Sequence, residues 1–182
     1  MKFSKTDFGY DLPSELIARY PSQQRTESKT LILDNKFTIQ FFKDTLNHFA
    51  EYDLVVLNET KVRPARILLH KDSGGYVEIL ILQKTTKYRA VCLAKGLNRK
   101  KTNQTLYSTS FPVKIKIISN VSKDIEIEFD QDIDKLCTEI GQMPIPPYLG
   151  REAEKIDIER YQTVFANDER LGSAAAPTAS LH

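Results

Sequence analysis

The stretch YVEILILQKTTKYRAVCLA, residues 76–94, decides the fold class. YVEILIL and YRAVCLA are short runs rich in branched and aromatic residues, which is the composition of strands. Upstream lies PARILLH (64–70), set off by the turn residues Asp72, Ser73, Gly74 and Gly75. Downstream come TLYST (105–109), PVKIKII (112–118) and DIEIEF (124–129). Several of these runs alternate apolar and polar residues, so each buries one face and wets the other. Six such strands in succession specify a small barrel or sandwich. Gly74 and Gly75 supply the positive backbone angles of a tight turn.

Outside this block the pattern changes. DLPSELIARYP (11–21) reads as a short helix that opens on Pro13 and stops at Pro21. KTLILD and FTI flank the turn Asp34-Asn35-Lys36 and read as a hairpin. FFKDTLNHFAEY (41–52) places Phe42, Leu46 and Phe49 at helical spacing, and DLVVLN (53–58) has the continuous apolar centre of a buried strand. After Asp130 a helical period returns through Ile133, Leu136, Cys137 and Ile140 and ends at Gly141. The order is mixed, all-β, mixed. It implies an α/β or α+β domain formed by residues 1–61 and 131–182, with an all-β module, residues 62–130, inserted into it.

The 182 residues, 41% hydrophobic and 27% charged, suffice for one large domain or two small ones. A formal net charge of +2 announces no polyanion partner, so nucleic-acid affinity must come from local clustering. Cys92 and Cys137 lie far apart and share no metal-ligand spacing with His48, His70 or His182, which argues against a disulfide framework or a zinc site. Buried thiols in a reducing cytosol are expected. The start, MKFSKTDFGYDL, lacks the apolar core of a signal peptide, and no apolar run approaches the roughly eighteen residues of a membrane span. A cytoplasmic chain with no membrane association and no metal is the expectation. GxSxG, Walker-type, GxGxxG and HExxH patterns are absent.

Four stretches carry more polar chemistry than packing requires. LNETKVRPARI (57–67) leaves the expected buried strand with Asn58, Glu59, Thr60, Lys61, Arg63 and Arg66 crowded around Pro64. It is either a site at a strand end or a solvated crossover whose arginines pair with carboxylates. GQMPIPPYLGRE (141–152) is stiffened by Pro144, Pro146 and Pro147 beside Tyr148. Such a segment makes a good wall for a planar ligand and an equally good connector. IDIERYQTVFA (156–166) reads as a helix with Asp157 near its N-terminus, and Arg160, Tyr161 and Gln162 give it hydrogen-bonding capacity beyond that of an amphipathic helix. KGLNRKK (95–101), with Lys95, Arg99, Lys100 and Lys101, is a basic hairpin loop able to grip RNA phosphates or simply to be solvated.

YDLPSELIARYP, NETKVRPARI, SGGYVEILIL, GQMPIPPYLGRE, DIERYQTVFA and GSAAAPTASLH (172–182) together resemble, collinearly over the whole chain, the S-adenosylmethionine:tRNA ribosyltransferase-isomerase family of the queuosine pathway. The resemblance implies a larger α/β domain, incomplete here, with an inserted antiparallel β-barrel. It implies transfer and isomerisation of the ribosyl group of S-adenosylmethionine, a co-substrate, onto the aminomethyl-deazaguanine wobble base of tRNA, giving epoxyqueuosine with release of adenine and methionine. In the family the segment like APTASLH runs on into a further half-chain. The expectation is therefore an N-terminal portion, monomeric and inactive alone. A stand-alone RNA-binding β-module and a decayed remnant are the alternatives. The chain departs from the family pattern at Glu59, Lys61, Arg63, Ala174 and Ser180, where Asp, Arg, an apolar residue, Val and Gly are usual.

Within the matched motifs Glu59 and His182 are the titratable candidates for acid–base work. Arg63, Arg66, Arg151 and Arg160 suit the methionine carboxylate or tRNA phosphates, Arg66 and Arg151 ahead of the other two, because a guanidinium makes paired charge-assisted bonds to either. Asn58, Thr60, Gln162 and Thr178 suit ribose hydroxyls or base edges, and Tyr148 or Tyr161 suits stacking on a purine. Pro177, Thr178 and Ala179 would line the same cavity.

Overall fold

The computed structural model describes residues 3–51, 53–120 and 123–182. Its strands are β1 (Lys29–Leu33), β2 (Phe37–Phe41), β3 (Thr60–Val62), β4 (Arg66–His70), β5 (Tyr76–Lys84), β6 (Arg89–Lys95), β7 (Asn103–Tyr107), β8 (Pro112–Ser119), β9 (Ile125–Phe129), β10 (Gly141–Gln142) and β11 (Asn167–Ser173). Its α-helices are α1 (Ile133–Ile140) and α2 (Lys155–Arg160).

Six antiparallel strands follow one another around a barrel in the order β4-β5-β6-β9-β8-β7, and the pairing of His70 with Tyr107 closes β4 onto β7. The expected β-module is thus a barrel and not a sandwich. Alternation places Ile67, Leu69, Val77, Ile79, Leu106, Val113, Ile125 and Ile127 inside, each at most 1% exposed. Burying each such side chain stabilises the fold by about 1.5–3 kcal/mol. Ala90 and Cys92, also fully buried, leave room for their larger neighbours. Helix α1 packs Ile133, Leu136 and Cys137 against the same cluster, and the Asp132 carboxylate caps it by accepting from the Asp134 backbone N–H at 2.9 Å. Burial pushes the Cys92 thiol up to about 12 and the Cys137 thiol up to about 11, so both are inert thiols at neutral pH. The β4–β5 turn has Gly74 at φ +83°, the backbone angle expected of it.

A second, smaller core gathers Val62, Met143, Ile145, Tyr161 and Ala176, residues that precede and follow the barrel in sequence. Around it β3 runs parallel to β11. The Gln162 side chain extends the edge of β3: its Oε1 accepts from the Val62 N–H and its Nε2 donates to the Val62 carbonyl, both at 2.8 Å. An amide side chain here satisfies backbone groups that a neighbouring strand would otherwise pair.

Four expectations for the flanks are corrected. The 53–58 run forms no strand, and Leu54, Val55, Val56 and Leu57 are exposed; an apolar run becomes a strand only when another strand pairs with it, and none of the described strands lies beside it. The segment at 41–52 is a 3₁₀ helix over Phe42–His48 with no buried residue: Phe42 is half-buried against His182, while Leu46 and Phe49 are exposed; Tyr52 lies outside the described residues. In the segment from Asp11 to Pro21 only Ser14–Leu16 is helical. The 156–166 segment is α-helical only up to Arg160, where α2 ends. The hairpin at Asp34-Asn35-Lys36 forms as expected, with Leu33 opposite Phe37. Its apolar residues Leu31, Leu33, Phe37 and Ile39 are exposed. The whole is a mixed α+β fold built on a closed β-barrel.

Candidate functional site

A cavity of about 200 Å³ opens beside the second core. Four separated stretches and Ser28 wall it: residues 18–21, the proline segment from Ile145 to Arg151, the α2 residues Asp157 and Arg160 with Tyr161, and Thr178, Leu181 and His182. The proline segment is held because Met143, Pro144 and Ile145 are buried while Tyr148 stays exposed at the rim. Gly150, at φ +64°, turns the chain so that Arg151 points back beneath it toward α2.

Arg151 and Asp157 form the floor. The guanidinium donates to both Asp157 carboxylate oxygens at 2.7 and 2.8 Å, and also to the carbonyls of Arg19 and Glu152, while stacking 4.4 Å from the Tyr20 ring centroid. Their side chains are 9% and 4% exposed. The Arg151 bond and the backbone N–H of Glu154 hold the Asp157 carboxyl below the usual carboxylate range in spite of its burial. Most of the donors of Arg151 are therefore committed within the protein.

Arg160 is placed differently. Its two terminal nitrogens donate to the carbonyls of Gln23 (3.0 Å) and Ser22 (2.7 Å), but its Nε is buried with no partner among the described residues. That leaves one uncommitted cationic donor on a residue that lines the cavity.

His182 is fixed from the N-terminal side of the chain. Its Nδ1 lies 2.7 Å from the Ser28 hydroxyl, and its ring centroid lies 5.6 Å from that of Phe42. The same hydroxyl lies 3.1 Å from the Arg25 carbonyl. With the Ser28 proton on the Arg25 carbonyl, His182 donates through Nδ1–H and keeps the lone pair on Nε2; with that proton on Nδ1, the tautomer is reversed. Arg25 anchors the surroundings by donating to the carbonyls of Glu159 (2.8 Å), Gln162 (2.9 Å) and Leu181 (2.6 Å). Burial, and then the Arg25 charge, hold the His182 imidazole below its ordinary pKa, so it is neutral at pH 7. Because the folded value is depressed, this group's contribution to stability is complete above about pH 6.5 and declines as the pH falls below it. Arg25→Gln removes the charge and loosens the segment, so the His182 pKa should rise toward 6.5; an NMR titration of the imidazole protons checks this.

Of the remaining candidates, Tyr161 and Thr178 line this cavity and the others lie elsewhere. Asn58 accepts from the Thr60 N–H at 3.0 Å, and Glu59 pairs with Arg170 on the exposed β3–β11 edge. Gln162 is buried against Val62, and Tyr161 lies in the second core at 7% exposure. Pro177 precedes the 3₁₀ turn Thr178–Ser180, which holds Thr178 at the cavity and Ala179 exposed. Arg66 pairs with Glu78 at 3.2 Å and, with Lys95, faces a second cavity of about 420 Å³ between the barrel and the proline segment. Arg63 pairs with Asp134 at 3.3 Å. Among the described residues no group of His, Cys, Asp or Glu is arranged to hold a metal ion, and no helix is long and apolar enough to cross a membrane.

Residues 5–182 match the queuosine biosynthesis protein family. The chain belongs to this family. Among its relatives, the S-adenosylmethionine:tRNA ribosyltransferase-isomerase of Acinetobacter baumannii is 43% identical over 97% of this chain and 51% of that protein. The Syntrophomonas wolfei protein of the same name is 39% identical over 95% of this chain and 51% of its own length. The chain spans about half the length of the curated relatives it matches. The crystal structure of the S-adenosylmethionine tRNA ribosyltransferase of Thermotoga maritima is 27% identical and covers 79% of this chain and 52% of that one. Its TM-score of 0.36 marks a superposition too loose to argue from.

Proposed function

We propose that this chain contributes part of the active site of an S-adenosylmethionine:tRNA ribosyltransferase-isomerase. The reaction moves the ribosyl group of S-adenosylmethionine onto the aminomethyl-deazaguanine wobble base of tRNA, forms epoxyqueuosine and releases adenine and methionine, in the cytoplasm. The observation that carries this reading is the one cavity into which three of the family-matching stretches deliver Tyr148, Arg160, Thr178 and His182. At about 200 Å³ it is smaller than the roughly 300–1,000 Å³ of a complete small-molecule pocket. It therefore accommodates one moiety of the co-substrate, and the half of the relatives outside the match supplies the remaining walls.

The sulfonium of S-adenosylmethionine acidifies the neighbouring ribose carbon, and a neutral imidazole is the base suited to take that proton at pH 7. The depressed pKa of His182 favours the neutral imidazole, and its Nδ1–H tautomer, held by Ser28, would present the Nε2 lone pair as the base. The Arg160 guanidinium, which lines the cavity, suits the methionine carboxylate, and Tyr148, exposed at the rim, suits a planar base. Glu59, engaged with Arg170 away from the cavity, is the less favoured base.

The division into an inserted barrel, residues 62–130, and a discontinuous domain from 1–61 and 131–182 belongs to the same proposal. It is supported by the β3–β11 pairing and by the hold of Arg25 on Glu159, Gln162 and Leu181, which join the two flanks to each other.

A chimera of residues 1–182 with the unmatched part of the Acinetobacter baumannii relative tests the reading. Given S-adenosylmethionine and tRNA bearing the precursor base, the chimera should release adenine and the 182 residues alone should release none above background. Adenine from the chain alone, or none from a folded chimera, would contradict it.

A further inference from the structure

The basic run at 95–101 divides in three dimensions. Lys95 sits on β6 opposite Glu78 and faces the cavity shared with Arg66. Arg99 turns to the Asn120 side chain (3.4 Å) and the Lys123 carbonyl (2.9 Å). Lys101 instead joins a groove of about 400 Å³ on the outside of the β7–β8 hairpin. There Lys114 and Lys116 alternate with the buried Val113, Ile115 and Ile117, so both point outward from β8. Across the ladder Thr105 stands beside Lys114 and Asn103 beside Lys116. Tyr107, two residues along β7 from Thr105, shares their face and is 39% exposed.

None of Lys101, Lys114 and Lys116 has an ion pair among the described residues. The two acids in the groove are already engaged: Glu128 pairs with Arg89 at 2.6 Å, and Asp130 accepts from the Lys114 backbone N–H at 3.0 Å. The groove thus presents three ammonium groups against one carboxylate, Asp130, that has no cationic partner among the described residues, together with two small polar side chains, and Tyr107 adds an aromatic ring beside it on the same face of the sheet.

We infer that the outer face of β7 and β8 is an RNA-binding surface, with Lys101, Lys114 and Lys116 on phosphates and Tyr107 stacking on an unpaired base. The inference rests on the proposed tRNA substrate and names the face of this chain that meets it. Phosphate contacts confer affinity that salt erodes, whereas base stacking on an aromatic ring is nearly salt-independent. The two parts of the surface therefore have separate signatures.

Fluorescence anisotropy of a labelled tRNA transcript against the 182-residue chain, over a range of KCl concentrations, reads both. Lys114→Gln with Lys116→Gln should weaken binding about tenfold at low salt and reduce the slope of log K against log salt by roughly 1.5. Tyr107→Leu should weaken it about fivefold with the slope unchanged. Lys135→Gln with Lys155→Gln, the same charge change at exposed helix positions, should leave affinity within twofold, and all variants should melt as the parent does. The inference fails if the Lys114/Lys116 variant binds as the parent does. It fails if Lys95→Gln with Lys100→Gln removes the salt dependence instead, if the chain binds no tRNA, or if polyglutamate competes as well as tRNA, which would indicate an acidic protein partner. A chimera that releases adenine while any of these holds keeps the functional reading and discards the surface.

Discussion

Asp157→Ala should destabilise the chain by about 3–5 kcal/mol, lowering the midpoint of a thermal melt by roughly 6–20 °C. The substitution strands the Arg151 guanidinium, 9% exposed, with its carboxylate gone. It also uncaps α2, because the same carboxylate accepts the Glu154 backbone N–H at 2.8 Å. Arg151 ties the segment around Arg19 and Tyr20 to the proline segment and α2, so the cavity floor should loosen with it. Asp157→Asn keeps an acceptor for one of these bonds and should cost less. The pH dependence follows from the depressed carboxyl pKa: the unfolded chain binds the proton more readily, so the contribution of the pair is complete above about pH 4 and disappears as the pH falls through the lower folded value. Parent and Asp157→Asn stabilities should therefore converge in acid. A loss below about 1 kcal/mol at pH 7 would show that the pair does not organise the floor.

The barrel was legible in the sequence because its signal is local. Alternation in YVEILIL, PVKIKII and DIEIEF fixes which side chains face inward, and each strand meets its sequence neighbour or near neighbour. Closure was not legible, since it hangs on the pairing of β4 with β7, at His70 and Tyr107, which alternation does not encode. The flanks were misread for the complementary reason. DLVVLN and FFKDTLNHFAEY have apolar patterns, but a pattern specifies an element only when something packs against it, and Leu46, Phe49, Leu54, Val55, Val56 and Leu57 stand exposed. NDER at 167–170, too charged to read as a strand, belongs to β11 because it pairs through its backbone with β3.

The site divides in the same way. Tyr148, Arg160, Thr178 and His182 were found from motif chemistry, and the cavity collects all four. Arg25 and Ser28, which fix His182 and its surroundings, were missed. They lie in the unremarkable run SQQRTES and act on carbonyls and a ring more than 130 residues away in sequence. The one available signal was an arginine among small polar residues just before a strand, which does not separate it from a surface arginine.

His182→Gln is expected to have the largest effect on chemistry. Glutamine preserves a hydrogen-bonding partner for Ser28 but supplies no base, and removal of a positioned general base costs typically 10²–10⁴-fold. Its melt should match that of the parent, since the ring is only partly buried and its main packing partner is Phe42. His48→Gln, on the exposed 3₁₀ turn, is the control for loss of an imidazole as such. The decisive measurement is the rate of adenine release by the chimera carrying His182→Gln, with S-adenosylmethionine and precursor tRNA saturating. A fall of at least about 100-fold, with His48→Gln unchanged, is the predicted result. An undiminished rate in His182→Gln, with the loss appearing in Glu59→Gln instead, would contradict the assignment and move the chemistry to the β3–β11 edge.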